Sequence, residues 1–352
     1  MAFVQLREFL YSPLTVVVGR QDFRYGNSFI FDSAGSNNTA APDSGLQVVA
    51  GDLTYQTAID AVRAILDYNP LTLELVFAQV DPNTVALNQF DDNKQLYGIN
   101  ATYELGDDMN SVVESYFWWL QDKSTTVDVA NTPDERDIIK VTGLRGSTNP
   151  IEGLNIQAEY AFQGGTKTNS SSALVQRRKA HGVQAIANYQ VPVMEEYHPI
   201  VQYVFTKVTG DTGLTGNGDY TGWDPFFESQ GGGKIYNAIF NLTNSLIHTF
   251  SFTVNPMEDV TTTLTYTKIF LERGLQSASL QLVQPDGTND TTSDVRAGDK
   301  YLGSEVDFDV AYAYTEDVQI GASFGIFKPG DVLSEGEQTA AKQVIVNVDV
   351  AF

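Results

Sequence analysis

The sequence contains no cysteine, which removes disulfides, thiolate metal sites and thiol nucleophiles together. Histidine is nearly as scarce: His181, His198 and His248 are the whole complement, and no two have the i, i+4 spacing of a helical zinc site. No run approaches the roughly 18 to 20 apolar residues of a membrane helix, so any bilayer crossing must be made by strands. Basic residues are few as well. The 21 Lys plus Arg against 44 Asp plus Glu leave a net charge of −23, a balance that repels phosphate backbones and speaks against nucleic acid as a partner. No linker, low-complexity tract or change of composition divides the chain, which reads as a single domain, 1–352.

What is present is alternation. From Tyr301 to Phe352 three strands change face at every residue, a period of two and not 3.6. In the first, Leu302, Val306, Phe308, Val310, Tyr312 and Tyr314 share one face, while Glu305, Asp307, Asp309, Ala311 and Ala313 take the other. In the second, Val318, Ile320, Ala322, Phe324 and Ile326 oppose Gln319, Gly321, Ser323 and Gly325. The third sets Val344, Val346, Val348, Val350 and Phe352 against Ile345, Asn347, Asp349 and Ala351. A soluble β-sandwich also alternates, but three carboxylates on one strand need water. The apolar face, in turn, ends in Tyr312, Tyr314 and Phe352, as a lipid band flanked by an aromatic girdle would.

Similar stretches recur at 2–11, 14–23, 58–68, 71–79, 95–105, 111–121, 137–146, 153–162, 181–191, 200–208, 244–254 and 260–270, for a total of about fifteen strands. Their connections alternate between short turns rich in Pro, Asn, Asp and Gly and long segments such as Arg24 to Thr57 and Thr209 to Thr243, which places all the long ones on one rim. Short periplasmic turns, long external loops and ten-residue strands are the habit of an outer-membrane barrel. The expected fold is therefore all-β, an antiparallel transmembrane β-barrel in the bacterial outer membrane. Lipid-facing sets follow: Leu154, Ile156, Ala158, Tyr160 and Phe162 against Asn155, Gln157 and Glu159, and Val62, Ala64, Leu66 and Tyr68 against Arg63 and Asp67. Trp118 and Trp119, with Tyr116 and Phe117, are expected in an interfacial aromatic belt. Lys268 shares a face with Leu264 and Tyr266, and periodicity does not say which side that face takes.

Three stretches carry a family likeness. Leu14 to Gly26 (LTVVVGRQDFRYG) is similar to a strand-and-bend motif LxLGRQxLxxG, Ala58 to Leu66 (AIDAVRAIL) to an EALRA strand, and Tyr301 to Asp331 to a closing hairpin followed by F-x-PGD. Trp223 to Ser229 (WDPFFES) is similar to relatives of uncertain substrate. The chain thus resembles the outer-membrane alginate export proteins, whose barrels have eighteen strands. That resemblance implies a passive route for an anionic polysaccharide through an arginine-lined lumen, with Arg20 and Arg24 at the basic positions of the first motif and Arg63 at the arginine of the second. Met1 leads directly into a strand-like stretch, and an odd count does not close an antiparallel barrel, so a signal peptide and about three N-terminal strands are expected upstream.

The expected activity is passive passage of an alginate-like polysaccharide or a smaller charged solute, without catalysis or cofactor. Arg20, Arg24, Arg63, Glu159, Glu305, Asp307 and Asp309 are the expected pore lining. Expected partners are outer-membrane lipid, the solute itself and periplasmic export proteins. Two other classes stay open: a structural barrel whose lumen holds a plug or a partner, and an outer-membrane hydrolase, which would need a serine and a histidine brought together from different strands. Asp286, Asn289, Asp290 and Asp294 could hold Ca²⁺ in an external loop through hard oxygen ligands, but a solvated acidic loop is the favoured reading.

Overall fold

A computed structural model describes residues 2–32, 59–80, 94–127, 135–169, 174–211, 218–226, 233–275, 282–283, 289–290, 295–334, 336 and 338–351. Its strands are β1 (Ala2–Leu6), β2 (Leu14–Gln21), β3 (Ile59–Asp67), β4 (Leu71–Val80), β5 (Lys94–Glu104), β6 (Val112–Val127), β7 (Glu135–Ile151), β8 (Leu154–Asn169) and β9 (Leu174–Arg177). The second half adds β10 (Ala180–Gln190), β11 (Ile200–Val208), β12 (Ser245–Met257), β13 (Val260–Leu271), β14 (Leu282–Val283), β15 (Asn289–Asp290), β16 (Tyr301–Ala313), β17 (Val318–Pro329) and β18 (Ala341–Val350), with one short helix, α1 (Lys234–Ile239).

Every strand but β14 and β15 belongs to one 16-stranded antiparallel sheet in which successive strands lie side by side. β9 pairs with the far end of β8 and continues the line of β10 after a break at Arg178 and Lys179. β1 and β18 each pair on one side only, so among the described residues the sheet is open. The strands foreseen from periodicity are all present, with ends displaced by up to seven residues, most at β8, which ends at Asn169 where 162 was expected. β6, β7 and β8 run to 16 or 17 residues, longer than a tilted membrane crossing needs.

The sheet separates two environments. Val306 and Phe308 are 44% and 42% exposed on the outward face of β16, and Val346 and Val348 are 68% and 60% exposed on β18, whereas inward Glu305 and Asp307 are almost wholly covered. Among the described residues, no second protein layer lies over the outward set. A face this apolar and this bare is a lipid face. Lys268 lies on it with Leu264 and Tyr266, near the external end of β13.

Leu302 departs from the expected parity. At Gly303 the pairing of β13 with β16 slips by one residue, so that Ile269 faces Gly303 while Phe270 faces Tyr301. The extra residue turns Leu302 inward, where it is buried. Gly303 has φ of 155°, and a Cβ there would meet the Lys328 carbonyl at 2.6 Å.

The lipid-face assignment predicts a depth-dependent penalty. In urea unfolding from lipid vesicles, Phe308→Arg should be less stable than Phe308→Ala by about 2–4 kcal/mol, while Thr265→Arg on the inward face should cost well under half of that. Equal costs on the two faces would refute the assignment.

Candidate functional site: the lumen and its inward segments

The apolar core lies inside the barrel. Residues 23–32 follow β2 and turn into the lumen, although Phe23 was expected to end the strand and Arg24 onward to lie on the external rim; they are held by Tyr25 N–H to Phe31 O (3.1 Å) and Ser28 N–H to Tyr25 O (3.0 Å). Phe23, Tyr25, Phe29 and Phe31 are buried. The Trp118 ring of β6 lies 4.8 Å from Tyr25 and 5.1 Å from Phe31, and Phe29 stacks on Trp223 at 5.8 Å. Gly182 of β10 leaves the space these rings occupy: a Cβ there would sit 2.8 Å from Phe29 and 3.0 Å from Trp223. Asn27 accepts from Arg145 of β7 at 3.2 Å, so the segment reaches from β2 to the β7–β10 wall.

The connection between β11 and β12 supplies a second inward piece. The first turn of α1 has N–H groups without helical partners, and Glu305 takes two of them: Ile235 N–H at 2.7 Å and Tyr236 N–H at 2.8 Å. Lys234 pairs with Asp309 and donates to the Ser323 hydroxyl. Ile235 packs above Gly325, where an added Cβ would stand 3.2 Å from its Cδ1. Earlier in the same connection, Asp224 pairs with Arg178 and with Lys167 (3.3 Å), and Arg178 also pairs with Asp137. Arg178 is fully buried and donates as well to the carbonyls of Ile138 and Thr166, each at 3.1 Å. A buried guanidinium with two carboxylates and two carbonyls pins this segment to the wall.

Ion pairs line the remaining walls. Arg63 bonds Glu74 at 2.7 Å, and the Tyr25 hydroxyl donates to the same carboxylate at 2.8 Å. Burial, and then the Glu74 charge, push the Tyr25 phenol upward, so it remains a neutral donor. Arg145 reaches Glu114 (3.2 Å) and Gln157 (2.7 Å), and the Tyr116 hydroxyl donates to Glu159 at 2.6 Å. Between β12 and β13 the wall carries hydroxyl pairs: Thr249 with Thr267, Ser251 with Thr265, and Thr253 with Thr263.

Of the residues singled out from sequence, Arg63, Glu159, Glu305, Asp307 and Asp309 point inward, on three well-separated stretches of wall: β3, β8 and β16. Arg20 does not. Val17 and Gln21 take the inward positions of β2, so Arg20 falls on the outward face and pairs with Asp60 at 3.1 Å. Arg24 is exposed beside the inward turn, and its backbone bridges to Asp32. The aromatic belt expected around Trp118 divides by the period of two: Phe117 and Trp119 face out, while Tyr116 and Trp118 are buried inside. Asp286, Asp294 and residues Phe227 to Ser229 of the WDPFFES stretch lie outside the described residues, and Asn289 and Asp290 form β15 against β14.

Sequence reasoning missed Glu74, Glu114 and Arg145, although their parity within recognised strands was available. It also passed over the aromatic density of Phe23 to Phe31, which signals burial even in a stretch without periodicity. The string Gly321-Ala322-Ser323-Phe324-Gly325 has the spelling of a nucleophile elbow. It runs in extended form through β17, however, and the Ser323 hydroxyl is engaged with Asp309 and Lys234.

The family model for alginate export matches residues 1–347. No curated protein matches the sequence. Among solved structures, OccK1 (OpdK) of Pseudomonas aeruginosa superposes with a TM-score of 0.56 at 11% identity, covering 98% of this chain and 76% of that one. OccK5 (OpdH) of the same organism gives 0.54 at 10% identity, covering 99% and 81%, and OccAB3 of Acinetobacter baumannii gives 0.51 at 12%, covering 97% and 75%. At these identities what is shared is the fold, that of an outer-membrane β-barrel. With nearly its whole length matched by one family model and an inward-polar, outward-apolar sheet to go with it, the chain belongs to the alginate export family of the bacterial outer membrane.

Proposed function

We propose that this barrel is a passive diffusion channel for small charged solutes, with its inward segments setting the size limit. The observation that carries this reading is the aromatic core inside the lumen, built by Phe23, Tyr25, Phe29 and Phe31 against Trp118 and Trp223. An extended alginate-like polysaccharide needs a continuous open route along the axis. Packed rings crossing from β2 to β10 favour the smaller solute over the polymer. OpdK, which shares the fold, has been solved with vanillate, a small carboxylate, and this supports the size class. The ion pairs on the walls and the hydroxyl pairs of β12 and β13 offer polar contacts to a solute that sheds part of its water. Ser323 lies in an ion-paired strand position, so the reading includes no catalysis. A second reading draws on the same observation: if the inward core closes the lumen fully, the barrel is structural or holds a partner.

Conductance in planar bilayers separates the two. The channel reading expects discrete single-channel steps, enlarged severalfold in a Phe31→Ala, Trp223→Ala double variant; an occluded barrel gives none in the parent and steps only in the variant. Steps of unchanged size in the variant would show that these rings do not limit passage.

Charge selectivity provides an independent check. The inward carboxylates of Glu305, Asp307 and Asp309 face Lys234 as their nearby cation, so reversal potentials under a KCl gradient should show cation preference, strongest at low salt where screening is weak. Arg63→Glu should increase that preference. Arg20→Glu, on the lipid face, should leave it within error. A chloride-preferring parent would contradict the lumen charges described above.

A further inference from the structure

Charge is distributed unequally over the outer surface of the barrel. Among the described strand residues, Asp60 is the sole outward carboxylate, and Arg20 neutralises it at 3.1 Å. Outward lysines, in contrast, recur at the external ends of the strands: Lys140 on β7, Lys207 on β11, Lys268 on β13, Lys328 on β17 and Lys342 on β18. The chain as a whole is acidic by 23 charges, so a random surface would show the opposite bias. Among the described residues, Lys268 and Lys328 form no ion pair.

Register brings these two together. Lys268 faces Ser304 across the β13–β16 pair, and Ser304 faces Lys328 across β16–β17, so one hydroxyl lies between two lysines on neighbouring strands. Two strand spacings put their backbones roughly 10 Å apart, within reach of a shared anion for two flexible side chains. The Lys268 ammonium lies 5.3 Å above the Phe270 ring and 5.4 Å above the Tyr301 ring. Lys207 stands one row further out on the same wall, beside Leu246 and close to Glu272 at 3.6 Å. Immediately below the pair is the apolar band of Leu264, Tyr266, Phe308, Phe324 and Ile326. This is the depth at which acyl chains give way to headgroups, where an ammonium without a carboxylate partner gains from a lipid anion.

We propose that Lys268, Ser304 and Lys328 bind the phosphate of a lipid headgroup in the leaflet on the long-loop side. Aromatic rings hold one ammonium at the boundary, and the serine supplies a donor between the two lysines. The described strand residues of this wall carry no outward carboxylate, and Glu272, just past β13, is already paired with Lys207 at 3.6 Å and Arg273 at 3.2 Å. The site is independent of what the lumen carries.

The test is native mass spectrometry of the full chain in detergent with three probes: a doubly phosphorylated glycolipid, the same lipid dephosphorylated, and inorganic phosphate. The phosphorylated lipid should be retained, the dephosphorylated lipid should be released at far lower collision energy, and phosphate alone should not compete at millimolar concentration. Lys268→Gln with Lys328→Gln should weaken retention by about 30-fold, and raised salt should do the same to the parent. Lys140→Gln, on the opposite wall, should leave it unchanged, and heat-modifiable gel mobility reports whether each variant is folded. Equal retention of both lipids, or full retention by the folded double variant, overturns the proposal. Competition by free phosphate overturns the assignment to a lipid.

Discussion

The two faces of each strand meet different solvents, and nearly every other property of the molecule follows from this. In hydrocarbon no water satisfies the backbone, so the chain must pair its N–H and C=O groups laterally, strand against strand. Lateral pairing fixes the side-chain period at two. Successive residues are then committed to opposite media, which is how Val306 can be bare while Glu305 beside it is completely covered. The same constraint bears on β1 and β18. An edge left in lipid has a row of unmet polar groups, so in the membrane both edges require a lateral partner.

The lumen has an architecture of its own. Its acidic strand β16 is a scaffold as well as a lining: Glu305 receives two backbone donors from α1, and Asp309 holds Lys234, the first residue of that helix. On the other side, Arg63 and Arg145 lie among carboxylates, amides and rings supplied partly by the inward turn after β2. Charge in this interior therefore serves largely to fix segments in place. That explains how so acidic a chain holds an apolar core inside a polar wall: the rings cluster where glycines such as Gly182 thin the sheet, and the charged groups surround them.

Much of the fold was legible in the sequence because lipid enforces strict alternation. The strands, the faces of β8 and of β16 to β18, and the alternation of short and long connections could all be seen without coordinates. What was not legible has identifiable causes. Arg20 was placed in the lumen by a motif likeness, although Val17 and Gln21 on the same strand set the opposite parity. Trp118 and Trp119 looked alike as members of one aromatic run, yet adjacent residues in a strand cannot share a face. The inward turn and α1 carry no periodic signal, since their burial depends on contacts with strands far away in sequence, such as Asn27 with Arg145. Leu302 was misplaced by a slip in register that composition alone does not reveal.

That slip at Gly303 also decouples two demands on one strand. Below it, β16 must keep its phase, because inverting a single residue would turn carboxylates toward acyl chains. Above it, the chain is free to present the other phase, as Leu302 does. Insertions or deletions in the adjoining connection can therefore be absorbed at the bulge before they reach the lipid-facing section, so the external loops are able to diverge in length across generations without the spanning segment having to be rewritten.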